Sequence, residues 1–363
     1  MTSLPFVSLA MPSYNEEHYI EKCLRSLLAQ DYPAELMEIL VADGGSQDNT
    51  RGIVERVAGE DARVRLLDNS AHRVQSYGMN LAIKESQGEF ILITDVHAEY
   101  AGNYVSKVVE VFQRTGADVV GGAQRAKAQT WFQKALCAAL DSPLGVGGAA
   151  YRSAEKEGWV DTVYPGAFRR TILEQVGLYD VKAITNEDAE LFQRVLEIGG
   201  GVYLSKEVVV HYYPRSSYRL LAKQYFKYGD GRARTLLLHK SLPVIRPLVP
   251  LLSILVGAAI IAVPALRPLS PFAFGAYAAI AGAEAVRVGR GVGVWAIPVV
   301  WTIFPTMQLA HGMGMLQGLI KYTLKPKPAL IERLPPRSQP SAGASCDAEA
   351  ANRRSRAQFS QQR

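Results

Sequence analysis

An apolar run, Phe90 to Thr94, stops at Asp95-Val96-His97, so a carboxylate and an imidazole stand two residues apart where a buried strand ends. Open α/β sheets bind ligands beyond the carboxyl ends of their strands. A carboxylate oxygen and a ring nitrogen at that edge are good ligands for an intermediate divalent ion such as Mn²⁺, which would lie against phosphates. Taken alone, the motif reads as a strand ending in a hydrated Asp. Three more polar clusters change its weight. Ser13-Tyr14-Asn15-Glu16-Glu17, Asp43-Gly44-Gly45-Ser46 and Asn186-Glu187-Asp188 also fall at the ends of expected elements, and the joint order is far more specific than any one of them.

The elements that must position these clusters follow from hydrophobic periodicity. Short β-rich runs, Phe6 to Met11, Met37 to Ala42, Val64 to Leu67, Phe90 to Thr94 and Asp118 to Gly121, alternate with amphipathic stretches at Glu17 to Ala29, Asn49 to Ala58 and Ser76 to Glu85. This is the pattern of β-α units on a mostly parallel sheet. Between Gln124 and Trp159 the pattern is irregular, and Leu144 to Gly148 reads either as a loop closing over a ligand or as a surface turn. A helix is expected from Glu187 to Ile198, then a hairpin-like pair ending in Val208 to His211.

Beyond residue 215 the composition changes. Residues 216–241 interleave Tyr218, Leu221, Tyr225 and Phe226 with Arg219, Lys223, Lys227, Arg232 and Arg234, which suits an amphipathic helix at a membrane surface or an ordinary packing helix. Residues 242–322 read as a transmembrane region of two to three spans: an uncharged stretch between Arg246 and Arg267, a weaker one from Pro268 to Ala283, and Gly291 to Ile320 with Trp295 and Trp301 as interface anchors. The basic tail, 323–363, offers too little to bury and is expected to be disordered.

Among the 363 residues the net charge is +6, but the basic residues cluster late, which suits anionic lipid heads, and the N-terminal part is mixed in charge, so no nucleic-acid partner is expected. Cys23, Cys137 and Cys346 have neither zinc-site nor disulfide spacing and fit a reducing cytosolic setting. The N-terminus lacks the basic and apolar regions of a signal peptide.

In order and context, the P-x-Y-N-E start at Pro12, the Asp43 turn, Asp95-Val96-His97 and Glu187-Asp188 resemble the motifs of the family 2 inverting glycosyltransferases. The likeness covers roughly residues 5 to 240. Asn80, Gly166-Ala167-Phe168-Arg169-Arg170 and Gln224-Tyr225-Phe226-Lys227-Tyr228 agree with it. Asp95-Val96-His97-Ala98, Gly145 to Ala149 and Arg215-Ser216-Ser217 resemble a bacterial succinoglycan and exopolysaccharide glucosyltransferase branch, where D-A-H-A replaces D-A-D-D.

The resemblance implies an α/β, GT-A (Rossmann-like), mostly parallel nucleotide-sugar-binding domain over residues 1–215, followed by C-terminal transmembrane helices. It implies a divalent metal, Mn²⁺ or Mg²⁺, held by Asp95, with His97 and His211 as further ligands, neutralising the leaving phosphates. His97 could instead bond the acceptor or ribose, and His211 could be structural. Pro12, Tyr14 and Glu16 are assigned to the base and ribose pocket, with Asn80 and Asp95 on the donor side. Asp43 could accept bonds from the base or ribose, or simply hold its turn. Asp188 is the expected general base, positioned by Glu187, and desolvation beside a second carboxylate would raise its pKa usefully. Glu190 reads as a helix-surface charge. Arg73 and Arg215 could reach the diphosphate. Gln224 and Tyr228 stand where processive relatives bind acceptor, but Lys227 and Tyr228 depart from the Q-x-x-R-W pattern, which favours single-sugar addition.

The expected protein is thus a multi-pass enzyme of the bacterial inner membrane with its catalytic domain in the cytosol. It would move a hexose from a UDP-sugar to a polyprenyl-diphosphate-linked saccharide in exopolysaccharide synthesis. The alternatives are a polyprenyl-phosphate sugar synthase, or an inactive nucleotide-sugar-binding assembly protein.

Overall fold

The computed structural model describes residues 4–146, 156–183, 185–239, 246–326 and 328–336. The alternating pattern of the N-terminal part produces β1 (Val7–Ser13), α1 (Ile20–Leu28), β2 (Met37–Asp43), α2 (Thr50–Glu60), β3 (Val64–Asp68), α3 (Gln75–Glu85) and β4 (Phe90–Ile93). Every residue of β2 and β4 is buried, as parallel strands covered on both faces require. Helix α1 covers the sheet with Ile20, Cys23, Leu24 and Leu27, spaced for one helical face.

Register brings the strand ends to a common edge. Ser13 of β1 stands opposite Asp43 of β2, Asp43 opposite Asp68 of β3, and Ala10 opposite Ile93 of β4, all in parallel pairs. Then follow β5 (Ala98–Tyr100), α4 (Tyr104–Thr115) and β6 (Val119–Ala126), and the short helices α5 (Trp131–Leu140) and α6 (Pro143–Val146). Helix α6 occupies the start of the segment read as a loop, and Gly147 and Gly148 lie outside the described residues. The chain continues with β7 (Gly158–Trp159), β8 (Gly166–Arg169), α7 (Arg170–Val176), α8 (Glu187–Glu197) and β9 (Val202–Tyr212). The nine strands form one mixed sheet in the order β3-β2-β1-β4-β8-β6-β9-β5, with β7 also on β9.

One expectation changes here. The hairpin-like pair is a single strand of 11 residues, β9. Its polar Ser205-Lys206-Glu207 stays extended because Ser205 is buried and Arg125 donates to the Lys206 carbonyl oxygen.

The chain divides into two compact units: Met1–Arg125, Ser153–Tyr212 and Leu330–Arg363 in the first, Ala126–Arg152 and Tyr213–Ala329 in the second. The second unit is helical, adding α9 (Tyr218–His239), α10 (Val249–Ala262), α11 (Ser270–Gly289) and α12 (Ala296–Leu324). Helix α12 buries Val300, Ile303, Phe304 and Met307. The basic, aromatic α9 packs along it. Backbone approaches backbone there, since a Cβ on Gly229 would collide with the His311 carbonyl and one on Gly314 with that of Phe226. Arg234, expected on a surface, is buried, while Arg219, Lys223 and Lys227 remain exposed.

The expected spans also shift. The stretch between Arg246 and Arg267 yields only α10, whose 14 residues reach about 21 Å, short of a hydrocarbon core of about 30 Å. Val263-Pro264 ends it, because proline restrains the residue before it and lacks an N–H. Among the described residues one helical segment, Pro264–Gly289, is long and apolar enough to cross a membrane, and 11% of its most apolar window is buried. The tail expected to be disordered begins with a paired stretch: Ile331 bridges Asp180 of the first unit and Leu334 is buried. Side-chain composition says nothing of such backbone pairing.

Candidate active site

Two loops shape the edge beyond β1 and β2, and each is tied to the other. Asn15 donates its backbone N–H to Ser46 Oγ (2.9 Å) and accepts from the Gln47 N–H through Oδ1 (2.8 Å). Glu16 donates to Thr50 Oγ1 (2.7 Å), Glu17 to Asp48 Oδ2 (3.2 Å), and Glu17 accepts from Asn49 (2.9 Å). Asp43 is fully buried beneath them. Its carboxylate accepts from the N–H groups of Gly45 and Ser46, from Ser46 Oγ at 2.5 Å and from Arg51 at 3.3 Å, which is the turn role that the sequence left open. Arg51 also reaches Asp68 at 3.4 Å. Above the turn, Tyr14 is 40% exposed, and the Arg73 guanidinium lies 5.9 Å from its ring centre. Pro12, half-buried in β1, stands opposite Ala42 of β2.

Asp95 follows β4. Its Oδ1 accepts from the His97 N–H (2.8 Å) and its Oδ2 from the Tyr164 hydroxyl (2.6 Å), while the Tyr100 hydroxyl accepts from the Asp95 N–H (2.7 Å). The His97 ring is half-buried, with Nε2 3.0 Å from the Glu16 carboxylate and Tyr19 packed against it at 4.6 Å between ring centres. Burial, then the Asp95 charge, raises the Tyr164 phenol well above its usual range. Burial with Asp95 and Glu16 likewise keeps the Cys23 thiol protonated.

Helix α8 opens with Glu187 and Asp188. Asn186 before it is left-handed (φ 64°), as is Asn15 in the first loop (φ 55°), and among the described residues these are the two non-glycine positions with positive φ. Asparagine tolerates that region better than most residues, and both conformers stand beside the acidic clusters. Burial, and then the neighbouring Asp188 charge, pushes Glu187 well above the ordinary carboxylate range. Asp188 is also raised, by burial first and by the Asp95 charge, with the nearby Tyr179 hydroxyl pulling the other way. That hydroxyl is buried and has no partner in hydrogen-bonding geometry. Glu190 is not the surface charge expected: it is fully buried and paired with Arg194 at 2.8 Å, because Arg194 must turn inward to bond the carbonyls of Val176, Gly177 and Leu178.

Asn80 is buried and holds Tyr179 through both ends of its amide, each at 2.9 Å. His211 stands on β9 opposite Glu99 of β5, two residues beyond His97. Among the described residues no three His, Cys, Asp or Glu side chains converge as a metal group, so Asp95, His97 and His211 do not form one. Asp95 and His97 together do fit a divalent cation. Their oxygen and imidazole donors suit it, and Asp95 is a negative charge that raises Cys23, Tyr164 and Asp188 around it. An ion held there would complete its shell with phosphate oxygens and water. Gln224 and Tyr228 lie on α9 of the second unit, one turn apart, with Gln224 Nε2 donating to the Tyr228 hydroxyl at 2.8 Å.

Sequence reasoning missed Tyr164, Tyr100 and Tyr179, the phenols set against Asp95 and Asp188. The signal available for Tyr164 was Tyr164-Pro165 immediately before Gly166; nothing in spacing singled out the other two.

Known proteins resemble this chain in sequence and in fold. Residues 8–177 match the model of the family described as glycosyl transferase family 2. The chain is 35% identical over 290 residues, 79% of this chain and 82% of the relative, to the succinoglycan biosynthesis protein ExoA of Rhizobium meliloti (strain 1021). It is 30% identical over 235 residues, 62% of this chain and 73% of the relative, to dolichyl N-acetyl-alpha-D-glucosaminyl phosphate 3-beta-D-2,3-diacetamido-2,3-dideoxy-beta-D-glucuronosyltransferase of Methanococcus voltae. Among solved structures, the mannosyltransferase PcManGT from Pyrobaculum calidifontis, in complex with GDP-Man and Mn²⁺, superposes with a TM-score of 0.59 at 21% identity, covering 88% of each chain. That likeness is one of fold.

Proposed function

This chain belongs to glycosyl transferase family 2 and has the GT-A fold, and we propose that it is an inverting, metal-dependent hexosyltransferase anchored to the cytosolic face of the bacterial inner membrane. Its donor is a nucleotide sugar, in the first instance a UDP-hexose, and its acceptor a polyprenyl-diphosphate-linked saccharide of exopolysaccharide assembly. The observation that carries this reading is Asp188, a carboxylate of raised pKa at the start of α8, under the charge of Asp95 at the end of β4. A base and a diphosphate-side ligand therefore act within one field. The name of the R. meliloti relative supports the pathway, and that of the M. voltae relative supports a lipid-phosphate-linked acceptor.

In the proposed reaction, Asp188 accepts the proton of the acceptor hydroxyl as its oxygen bonds to the anomeric carbon. The bond from that carbon to the donor phosphate breaks on the opposite face, and the electron pair leaves with the nucleoside diphosphate. A raised pKa makes Asp188 a stronger base at neutral pH than an ordinary carboxylate. Tyr14 covers the nucleobase, with Pro12 and Glu16 beside it and Arg73 on the diphosphate side. Asp43 and Asn80 hold the frame. Asp95 and His97 hold a divalent ion, which supplies charge neutralisation on the leaving diphosphate; exchange of aspartate for His97 removes a negative charge and favours Mn²⁺ over Mg²⁺. His211 stays outside this group, and Glu187 orients the base. Pro264–Gly289, whose Phe272, Phe274 and Ile280 are exposed, anchors the chain in lipid.

The test is nucleoside diphosphate release from a panel of nucleotide sugars, with short-chain polyprenyl-diphosphate saccharides in detergent and either Mn²⁺ or Mg²⁺. We expect UDP-hexose turnover that EDTA abolishes and a product of inverted anomeric configuration. Turnover onto polyprenyl monophosphate without a saccharide would replace the acceptor assignment. Donor binding without turnover across all acceptors would remove the enzymatic reading.

A further inference from the structure

Residues 330–336 belong to the first unit although helix α12, which ends six residues earlier, belongs to the second. They pair with one particular stretch, Gly177 to Val181. Leu178 donates its N–H to the Glu332 carbonyl (2.9 Å) and Val181 donates to that of Leu330 (3.3 Å). The Leu330 N–H returns a bond to Asp180 Oδ1 (2.8 Å), and Asp180 and Ile331 form an antiparallel bridge. Lys84 pairs with Glu332, and Arg333 donates to the Gln175 carbonyl (3.3 Å). Leu334 is buried. Gly177 has φ +82°, and a Cβ there would meet Ile331 Cγ2 at 2.6 Å, so a glycine is required for the approach.

The stretch held in this way is also bonded to α8, the helix that Glu187 and Asp188 open. Asn80 from α3 and Arg194 from α8 grip the same stretch from inside the first unit. The strap closes it from outside. Asp180, fully buried, is the connecting residue, since its Oδ1 accepts from both Leu330 and Lys182 (3.0 Å).

We infer that the C-terminal strap, Leu330 to Leu334, is a positioning element for the catalytic base: it holds Gly177 to Val181, the stretch whose carbonyls fix Arg194 of α8 and with it the helix start that carries Asp188. This rests on the proposal that Asp188 is the base. Loosening the strap therefore displaces Asp188 from the acceptor hydroxyl without touching the nucleotide side.

The experiment uses the full chain and two truncations, after Ala329 and after Pro336, with kcat and donor KM as readouts. Truncation after Ala329 should lower kcat roughly ten- to hundredfold, as small misplacements of a reacting group do, and leave donor KM within about twofold. Asp180→Ala in the full chain removes the acceptor of the Leu330 N–H and should lower kcat in the same way; combining it with the truncation should add little, as expected of residues acting through one contact. Truncation after Pro336 should behave as the full chain. Where the short form loses donor binding as well, the strap is read instead from Asp180→Ala, expected to reproduce the low kcat, and Asp180→Asn, which keeps the accepting oxygen and restores it.

An unchanged kcat after truncation at Ala329, effects of Asp180→Ala and truncation that multiply in full, equal loss in both truncations, or a normal Asp180→Ala would each overturn the strap. Those outcomes leave the base assignment standing if Asp188→Asn is inactive. Near-normal turnover of Asp188→Asn sinks the base itself.

Discussion

The edge beyond β1 and β2 and the start of α8 are both acidic, yet they are built on opposite principles. At the first, Asp43 lies fully buried with four donors on its two oxygens, and the flanking loops exchange bonds along their length. At the second, Glu187 and Asp188 are crowded together, raised by burial, and attended by a phenol without a hydrogen-bond partner. Satisfied polar groups rigidify a site, whereas unsatisfied ones store reactivity at a cost in stability. The donor side is therefore a scaffold, and the base side a loaded group.

This contrast can be broken experimentally, because substitutions on the two sides should trade stability and activity in opposite directions. The largest effect is expected from Asp188→Asn: a loss of about 10²–10⁴ in turnover, read as nucleoside diphosphate release, with thermal stability unchanged or higher. Next is Asp43→Ala, which strands the part-buried N–H groups of Gly45 and Ser46 and Arg51; we expect about 2–4 kcal/mol of destabilisation by chemical denaturation. An Asp43→Ala protein as stable as wild type would end the scaffold reading.

A smaller effect distinguishes the loaded side by its pH dependence. The folded-state pKa of Glu187 lies above its unfolded value of about 4.3, so the native state binds the extra proton. Its contribution to stability is fully present below that unfolded value and is lost as pH rises through the raised one. Glu187→Gln should therefore raise the unfolding free energy above neutral pH by on the order of 1–2 kcal/mol, measured by chemical denaturation, and the gain should vanish near pH 4. A gain that is instead largest in acid contradicts the assigned sign. The smallest effect is Ser46→Ala, which removes one bond to Asp43 and one from Asn15, about 1–2 kcal/mol, with donor KM raised more than kcat is lowered.

The same contrast explains what could be read from the sequence. The donor edge is assembled from consecutive residues at the ends of strands whose burial is written in their Val, Ile and Leu content, so Pro12 to Glu17, Asp43 and Asp95 could be placed at one edge before any coordinates. The base pair was visible as a doublet at a helix start. Its partners were not. Tyr164 and Tyr179 reach Asp95 and Asp188 from segments of unrelated spacing, and the strap acts through backbone N–H and carbonyl groups that every sequence possesses. Glu190 was misjudged because its exposure depends on Arg194 turning toward the carbonyls of Val176 to Leu178. The length of α10 was misjudged because absence of charge was read as continuity of helix across Val263-Pro264.

The close approach of α9 and α12 through Gly229 and Gly314 also has a bearing on how the protein is made. Helix α9 leaves the ribosome complete while its partner is still unsynthesised, with α10 and α11 emerging in between. Until Gly314 arrives, the Gly229 face of α9 has no backbone to meet, and the bond pair from Lys321 and Tyr322 to Asp230 cannot form. The helical unit therefore closes only once α12 is made. A chain stalled short of α12 would carry a finished strand sheet beside an unfinished helix pair, a species that nascent-chain proteolysis would reveal by cleavage confined to α9.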